Sequence, residues 1–252
     1  MINRILGGLA AAVLAVGLTV PAAADVSPEV WDVPDNGVTS VYEAMAQIDR
    51  AAPELIAPEL RALVPAKGRA IVVNIPSFEL IAFEDQVPVL RSRVVVGKPR
   101  TPTPVMVTET SVVRFRPTWT PTKSMIRRGI KPGTRRPGKG NPLGYLAIRL
   151  EPGMLIYLHG TNKPHLYDND MRALSYGCVR VERWEDVAAW VLEASVEEVQ
   201  GHAFGRRTFD METGGIPVFM TYLTEFPDAQ GVMRSWPDIY NRGAYAGIPV
   251  AN

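Results

Sequence analysis

The sequence holds one cysteine in 252 residues, so Cys178 has no partner within the chain for a disulfide. Histidine is almost as scarce. His159, His165 and His202 lie far apart and, with a single cysteine, make no zinc-ligand spacing, so no metal is expected. No glycine-rich phosphate loop precedes a helical segment, and no cofactor is expected either. Charge of one sign is also missing at the level of the whole molecule. With 27 basic and 26 acidic side chains, nothing in the balance favours nucleic acid or a membrane surface. Past residue 24 no run is apolar enough to span a bilayer, and there is no internal repeat or low-complexity tract.

The amino terminus is a different kind of segment. Arg4 precedes an apolar run from Ile5 to Val20, and Ala22-Ala23-Ala24 supplies a small-residue cleavage pattern. Residues 1–24 are read as a signal peptide for export to the periplasm, the alternative being an uncleaved anchor. Cleavage near Asp25 removes Arg4 and no acid, leaving 26 basic and 26 acidic side chains and no stable membrane insertion. Exported chains normally use cysteines in pairs. A lone thiol there is either a buried small hydrophobe or a reactive group, and its count alone does not choose between them.

Residues 25–64 read as an extended lead-in followed by a short helical segment. Val41, Ala44, Met45, Ile48 and Ala52 recur at helical spacing, and Leu55, Leu60 and Leu63 continue after the breaks at Pro53 and Pro58. From Arg69 the texture becomes that of strands. Ala70–Ile75, Phe78–Phe83 and Val87–Val96 are rich in β-formers, closely spaced as in an antiparallel meander. Val105–Phe115 has the length of a strand pair. Tyr145–Leu150, Leu155–His159 and Ile216–Phe226 are further strands, and Asp228-Ala229-Gln230-Gly231 is a hairpin turn. A helix is expected over about 182–194, with Trp184, Val187, Ala188 and Val191 on one face. The fold class is mainly β.

Acid is absent from Thr110 to Leu150, a stretch that carries ten basic residues. Within it, prolines and glycines over 116–142 exclude any long regular element. Such a local positive field suits an anionic ligand, and equally a solvated surface loop.

The chemistry gathers around the cysteine. A thiol becomes a useful nucleophile beside an imidazole, and His159 ends a strand shortly before Cys178. Gly177 permits a tight turn that lets the backbone amides of Tyr176, Gly177 and Cys178 converge as an oxyanion hole. Arg180, two residues on in an extended segment, faces the same side and suits a substrate carboxylate.

His159, the fifteen residues 160–174, and Ser175-Tyr176-Gly177-Cys178-Val179-Arg180 resemble the signature of the L,D-transpeptidase (YkuD-type) family, Gram-negative branch. Val73-Asn74-Ile75-Pro76, Thr103-Pro104, Pro117-Thr118-Trp119-Thr120, Asn141-Pro142-Leu143-Gly144, Tyr157–Thr161 and Asp238-Ile239-Tyr240 extend the resemblance over roughly 65–242. It implies a β-sandwich-like catalytic domain over 65–242, with 243–252 as a tail. It also implies a Cys178–His159 pair, with the imidazole oriented by the carbonyl of Gly160. The implied substrates are peptidoglycan stem peptides, as donor and acceptor. Cys178 would form a thioester with the donor stem and release D-alanine, and an amine of the acceptor would resolve it. Cysteines of the family are acylated by carbapenems. Arg180 matches the Arg/Asn position of the motif. Ser175 either braces the loop or contacts substrate, and Tyr176, where many members have histidine, contributes only its amide. Trp119 and Tyr145 flank the basic insertion, which by analogy caps the cleft over 117–142 and contacts substrate there. His165 is expected to shape the loop, and His202 has no role. Two other outcomes stay open: hydrolysis of stems on the same fold, and peptidoglycan binding without turnover.

Overall fold

The computed structural model describes residues 63–243. The expected signal segment, all but the end of the 25–64 segment, and the tail past 243 lie outside the described residues.

β1 (Arg69–Asn74), β2 (Glu79–Glu84) and β3 (Val87–Gly97) form the expected antiparallel meander. β1 is buried almost along its whole length, because both of its faces are covered. Ile71 and Val73 enter the main core, while Ala70 and Val72 pack with Ile81, Phe83 and Phe226 in a second cluster. That is why its sequence reads as a continuous apolar run rather than an alternating one.

Val105–Phe115 departs from expectation. It is one long strand, β4 (Met106–Phe115), and not a hairpin, because its length is used by three partners. The second half pairs with β5 (Leu146–Leu150) on one edge and with β9 (Phe209–Glu212) on the other. The first half pairs with β10 (Pro217–Thr221), which in turn lies parallel to β1. With β6 (Tyr157–His159) and β8 (Val179–Val181) between β5 and β3, the paired strands close into a ring, and β7 (Ala173–Ser175) lies parallel to the end of β3. The mainly β, sandwich-like domain is thus a sheet wrapped on itself around one apolar core.

Ile216–Phe226 is likewise not one strand. β10 stops at Thr221 because the side chain of Asn74, fully buried, takes over the next backbone groups. Its Nδ2 donates to Leu223 O (3.0 Å), and its Oδ1 accepts from Leu223 N (2.9 Å) and Thr221 Oγ1 (3.0 Å). The chain turns there into β11 (Glu225–Pro227), which pairs with β12 (Met233–Ser235) across the expected turn. Asp228 holds that turn by accepting from Gln230 N and Val232 N.

The expected helix is α2 (Trp184–Leu192), with Val187, Ala188 and Val191 buried. α3 (Val196–Phe204) and β9 had no sequence signal. α3 buries only Val199 and Ala203, too thin a stripe to stand out. The 117–142 insertion holds one short helix, α1 (Lys123–Arg127). Paired hydrogen bonds between Trp119 and Arg135 close its base, as does Asn141 Nδ2 donating to Pro117 O (2.7 Å).

Replacing Asn74 with alanine strands the backbone groups of Leu223 in the core. The expected loss is about 2–4 kcal/mol, read from the midpoint of a urea unfolding curve. A change within about 0.5 kcal/mol, the scale of an ordinary surface substitution, would show that Asn74 does not hold this corner.

Candidate active site

β6 and β8 are adjacent and parallel, with Leu158 opposite Val179 and His159 opposite Arg180. Leu158 and Val179 are both fully buried in the core. Strand alternation therefore sends His159 and Arg180 to the other face, and Cys178 shares the parity of Arg180. All three line one cleft of ≈ 190 Å³. Trp119, Met125 and Ile130 form an apolar wall from the insertion, and Lys163 and Tyr176 stand on the opposite loops. Among the described residues no acidic one lines the cleft.

The turn before Cys178 is built on two residues. Gly177 has φ +116°, a conformation that side chains oppose. Ser175 Oγ accepts from Gly177 N (3.0 Å) and donates to Cys178 O (2.6 Å), which are the contacts of a brace. One consequence corrects the expected oxyanion set. The Gly177 amide is spent on Ser175, so Tyr176 and Cys178 remain as candidate donors.

Burial dominates the electrostatics. It pushes the Cys178 thiol up, opposed by the Tyr157 amide and the Arg180 charge, and Sγ donates to Leu155 O (3.3 Å). His159 is 4 % exposed, and burial lowers its pKa to about 3, with Arg180 pushing the same way. The carbonyls of Gly160 and Leu143 oppose that shift. Nδ1 of His159 lies 2.5 Å from Gly160 O. A carbonyl can only accept, so Nδ1 carries the hydrogen and Nε2 the lone pair. Among the described residues no hydrogen bond joins His159 to Cys178, and burial favours the neutral form of each.

Arg180 is mostly buried, and its Nε and Nη1 have no hydrogen-bond partner. The Tyr167 hydroxyl, also buried, has none either. Buried donors without acceptors are costly, and at a cleft they mark where an anion fits. Tyr145 is placed elsewhere than expected. Its ring packs against Trp184 and Phe204, held by the aromatic surfaces of α2 and α3, and it does not line the cleft. The arginines of the insertion also stay outside the cleft: Arg127, Arg128 and Arg136 are exposed. His165 sits exposed in a 3-10 turn (Pro164–Asp168), and His202 packs against Phe115 and Phe209.

Several participants had gone unassigned. Leu143 reaches His159 because Gly144 (φ +71°) lets the Asn141–Gly144 turn approach Thr161, where a Cβ would stand 2.7 Å from its amide. That motif was legible, though its role was not. Tyr167 and Leu155 carried no signal.

The His159 shift has a thermodynamic sign. Its folded pKa lies below the unfolded value of about 6.5, so the unfolded chain binds the extra proton first. The stability this group confers is present above about pH 6.5 and is lost as pH falls toward 3. The wild-type Tm is expected to fall more steeply across that window than the Tm of His159→Gln. Parallel curves would contradict a buried neutral His159.

The family model of the L,D-transpeptidase catalytic domain (YkuD) matches residues 68–200. A Haemophilus influenzae protein whose name assigns it to the L,D-transpeptidases is 28% identical in an alignment 222 residues long that covers 71% of this chain and 45% of that protein. The Escherichia coli protein YcfS, assigned likewise, is 35% identical in an alignment 143 residues long that covers 53% of this chain and 44% of that one. The chain thus spans under half the length of these curated relatives. Among solved structures, L,D-transpeptidase 3 from Mycobacterium tuberculosis is 16% identical over 61% of each chain, with a TM-score of 0.40. The family match runs from the start of β1 into α3 and takes in β6, β8 and the loop that joins them, so this chain belongs to the family of L,D-transpeptidase (YkuD) catalytic domains.

Proposed function

We propose that this protein is a periplasmic peptidoglycan L,D-transpeptidase whose nucleophile is Cys178. The observation that carries the reading is the convergence of Cys178, His159 and Arg180 on one acid-free cleft. In the first half-reaction, Nε2 of His159 takes the Sγ proton as sulfur attacks the carbonyl between the third stem residue and D-alanine. The amides of Tyr176 and Cys178 receive the charge that develops on oxygen. His159 returns the proton to the departing amine, D-alanine leaves, and a thioester remains. An amine of a second stem then attacks the thioester and loses a proton to His159. The proton passes to Sγ as the amide forms and the thiol is restored.

The burial that lowers His159 keeps it an unprotonated base across the physiological range. The Gly160 carbonyl holds its ring in the tautomer that leaves Nε2 free. Arg180 would give its unpaired N–H groups to a stem carboxylate in paired fashion, and Lys163 adds a second positive charge at the cleft. The 117–142 insertion acts as a cap. Met125, Ile130 and Trp119 face the substrate, and the exposed arginines attract it from a distance.

Cys178→Ala is expected to abolish product from tetrapeptide muropeptides, and His159→Ala to slow it on the order of 10²–10⁴-fold. Mass spectrometry of the products distinguishes transfer, which gives dimers, from hydrolysis, which gives trimmed monomers. A carbapenem should add its mass to the wild type and not to Cys178→Ala; an adduct on both would sink the nucleophile assignment. Reversing the charge of Arg127, Arg128, Arg135 and Arg136 should raise the apparent KM at low ionic strength, with the effect fading in salt. An unchanged KM at low salt would remove the field from the account.

A further inference from the structure

The last described segment reaches the nucleophile loop through two residues that do not line the cleft. The phenolic oxygen of Tyr240 donates to Gly97 O (2.6 Å) and accepts from Thr103 N (3.1 Å). Thr103 Oγ1 accepts from Gly97 N (2.9 Å) and donates to Gly177 O (2.8 Å). Two hydrogen-bonded steps therefore join Tyr240 to the peptide unit between Gly177 and Cys178. Gly97 allows this junction to be tight, since a Cβ there would stand 2.1 Å from Thr101 O.

We propose that Thr103 and Tyr240 are positioning residues that aim the Cys178 amide at the oxyanion. The reason lies in peptide geometry. In a trans planar peptide the carbonyl and the amide N–H point in opposite directions. When Thr103 Oγ1 pins Gly177 O, it fixes the direction of the N–H of Cys178 on the other side of the same plane. Gly177, at φ +116°, has no side chain that would restrain this plane, so the restraint has to come from outside. Ser175 holds the next carbonyl, that of Cys178, and leaves the Gly177–Cys178 plane to Thr103.

Tyr240 is itself firmly seated. Its amide donates to Tyr222 Oη (2.8 Å), Tyr222 Oη donates to Asp238 Oδ1 (2.5 Å), and the two tyrosine rings stack with Arg242 over both. Asp238 also accepts from the amides of Arg242 and Gly243. The segment from Asp238 to Gly243 is a folded clip, and its output is one hydroxyl placed on Thr103.

The inference rests on Cys178 as nucleophile, and two reactions of the same sulfur separate the two claims. Acylation by a carbapenem develops an oxyanion, whereas alkylation by iodoacetamide does not. In Thr103→Val and Tyr240→Phe the acylation rate is expected to fall on the order of tenfold to hundredfold, with iodoacetamide alkylation of Cys178 unchanged. Thr103→Ser keeps Oγ and should keep the wild-type acylation rate. Equal acylation in Thr103→Val and Thr103→Ser would overturn the proposal. So would acylation and alkylation falling together, since that is the mark of a loosened loop rather than a turned amide. A wild type that alkylates at Cys178 and never acylates would overturn the nucleophile reading itself, and this inference with it.

Discussion

β6 and β8 are each three residues long, yet their parallel pairing sets His159 against Arg180 with Cys178 one step before the ladder. Parallel neighbours cannot be joined by a tight turn, so the chain needs a long crossover between them. Residues 160–178 are that crossover. They carry the Gly160 carbonyl that orients the imidazole, the Lys163 side of the cleft, Tyr167, and the Ser175 brace. A one-residue slip of either strand would turn its core residue, Leu158 or Val179, to the cleft and send its partner on that strand, His159 or Arg180, into the core. The apolar core on one face is thus what holds the reactive side chains on the other.

The site carries polar costs that much of the core avoids. Elsewhere, buried polar groups such as Asn74, Thr103 and Thr110 find partners within the protein. Arg180 at the cleft and Tyr167 on the crossover keep buried donors unpaired, and burial favours the neutral form of His159. Each of these costs folding free energy, and such costs concentrate where a ligand is meant to complete the hydrogen bonding. In the proposed reaction, groups held on the closed sheet would need little reorganisation when a carboxylate and a carbonyl arrive.

The insertion divides its work by side-chain type. Its apolar residues Met125 and Ile130 line the cleft, while its exposed cations Arg127, Arg128 and Arg136 stay outside it. The hydrogen bonds of Asn141 and of the Trp119–Arg135 bridge tie its two ends to each other. The tyrosine clip from Asp238 onward reaches the Cys178 loop through Thr103.

Much of this was legible in residue order. The β-branched runs marked β1 to β3, because burial on both faces of β1 demands apolar residues in succession. The glycine before the cysteine, the arginine after it and a histidine a crossover away marked the site, because that chemistry needs those residue types near one another. Long-range pairing was not legible. β4 looks like a hairpin until β5, β9 and β10 are seen to share it, and β10 looks longer until Asn74, over 140 residues away, is seen to capture Leu223. Tyr145 flanks the insertion in sequence, but an aromatic cluster from α2 and α3 draws it away. The sequence alone determined which atoms are able to react, since that is a property of side chains. Only the tertiary structure decided which amides stay free, which donors go unpaired and which charges face the cleft, since those depend on neighbours that residue order does not name.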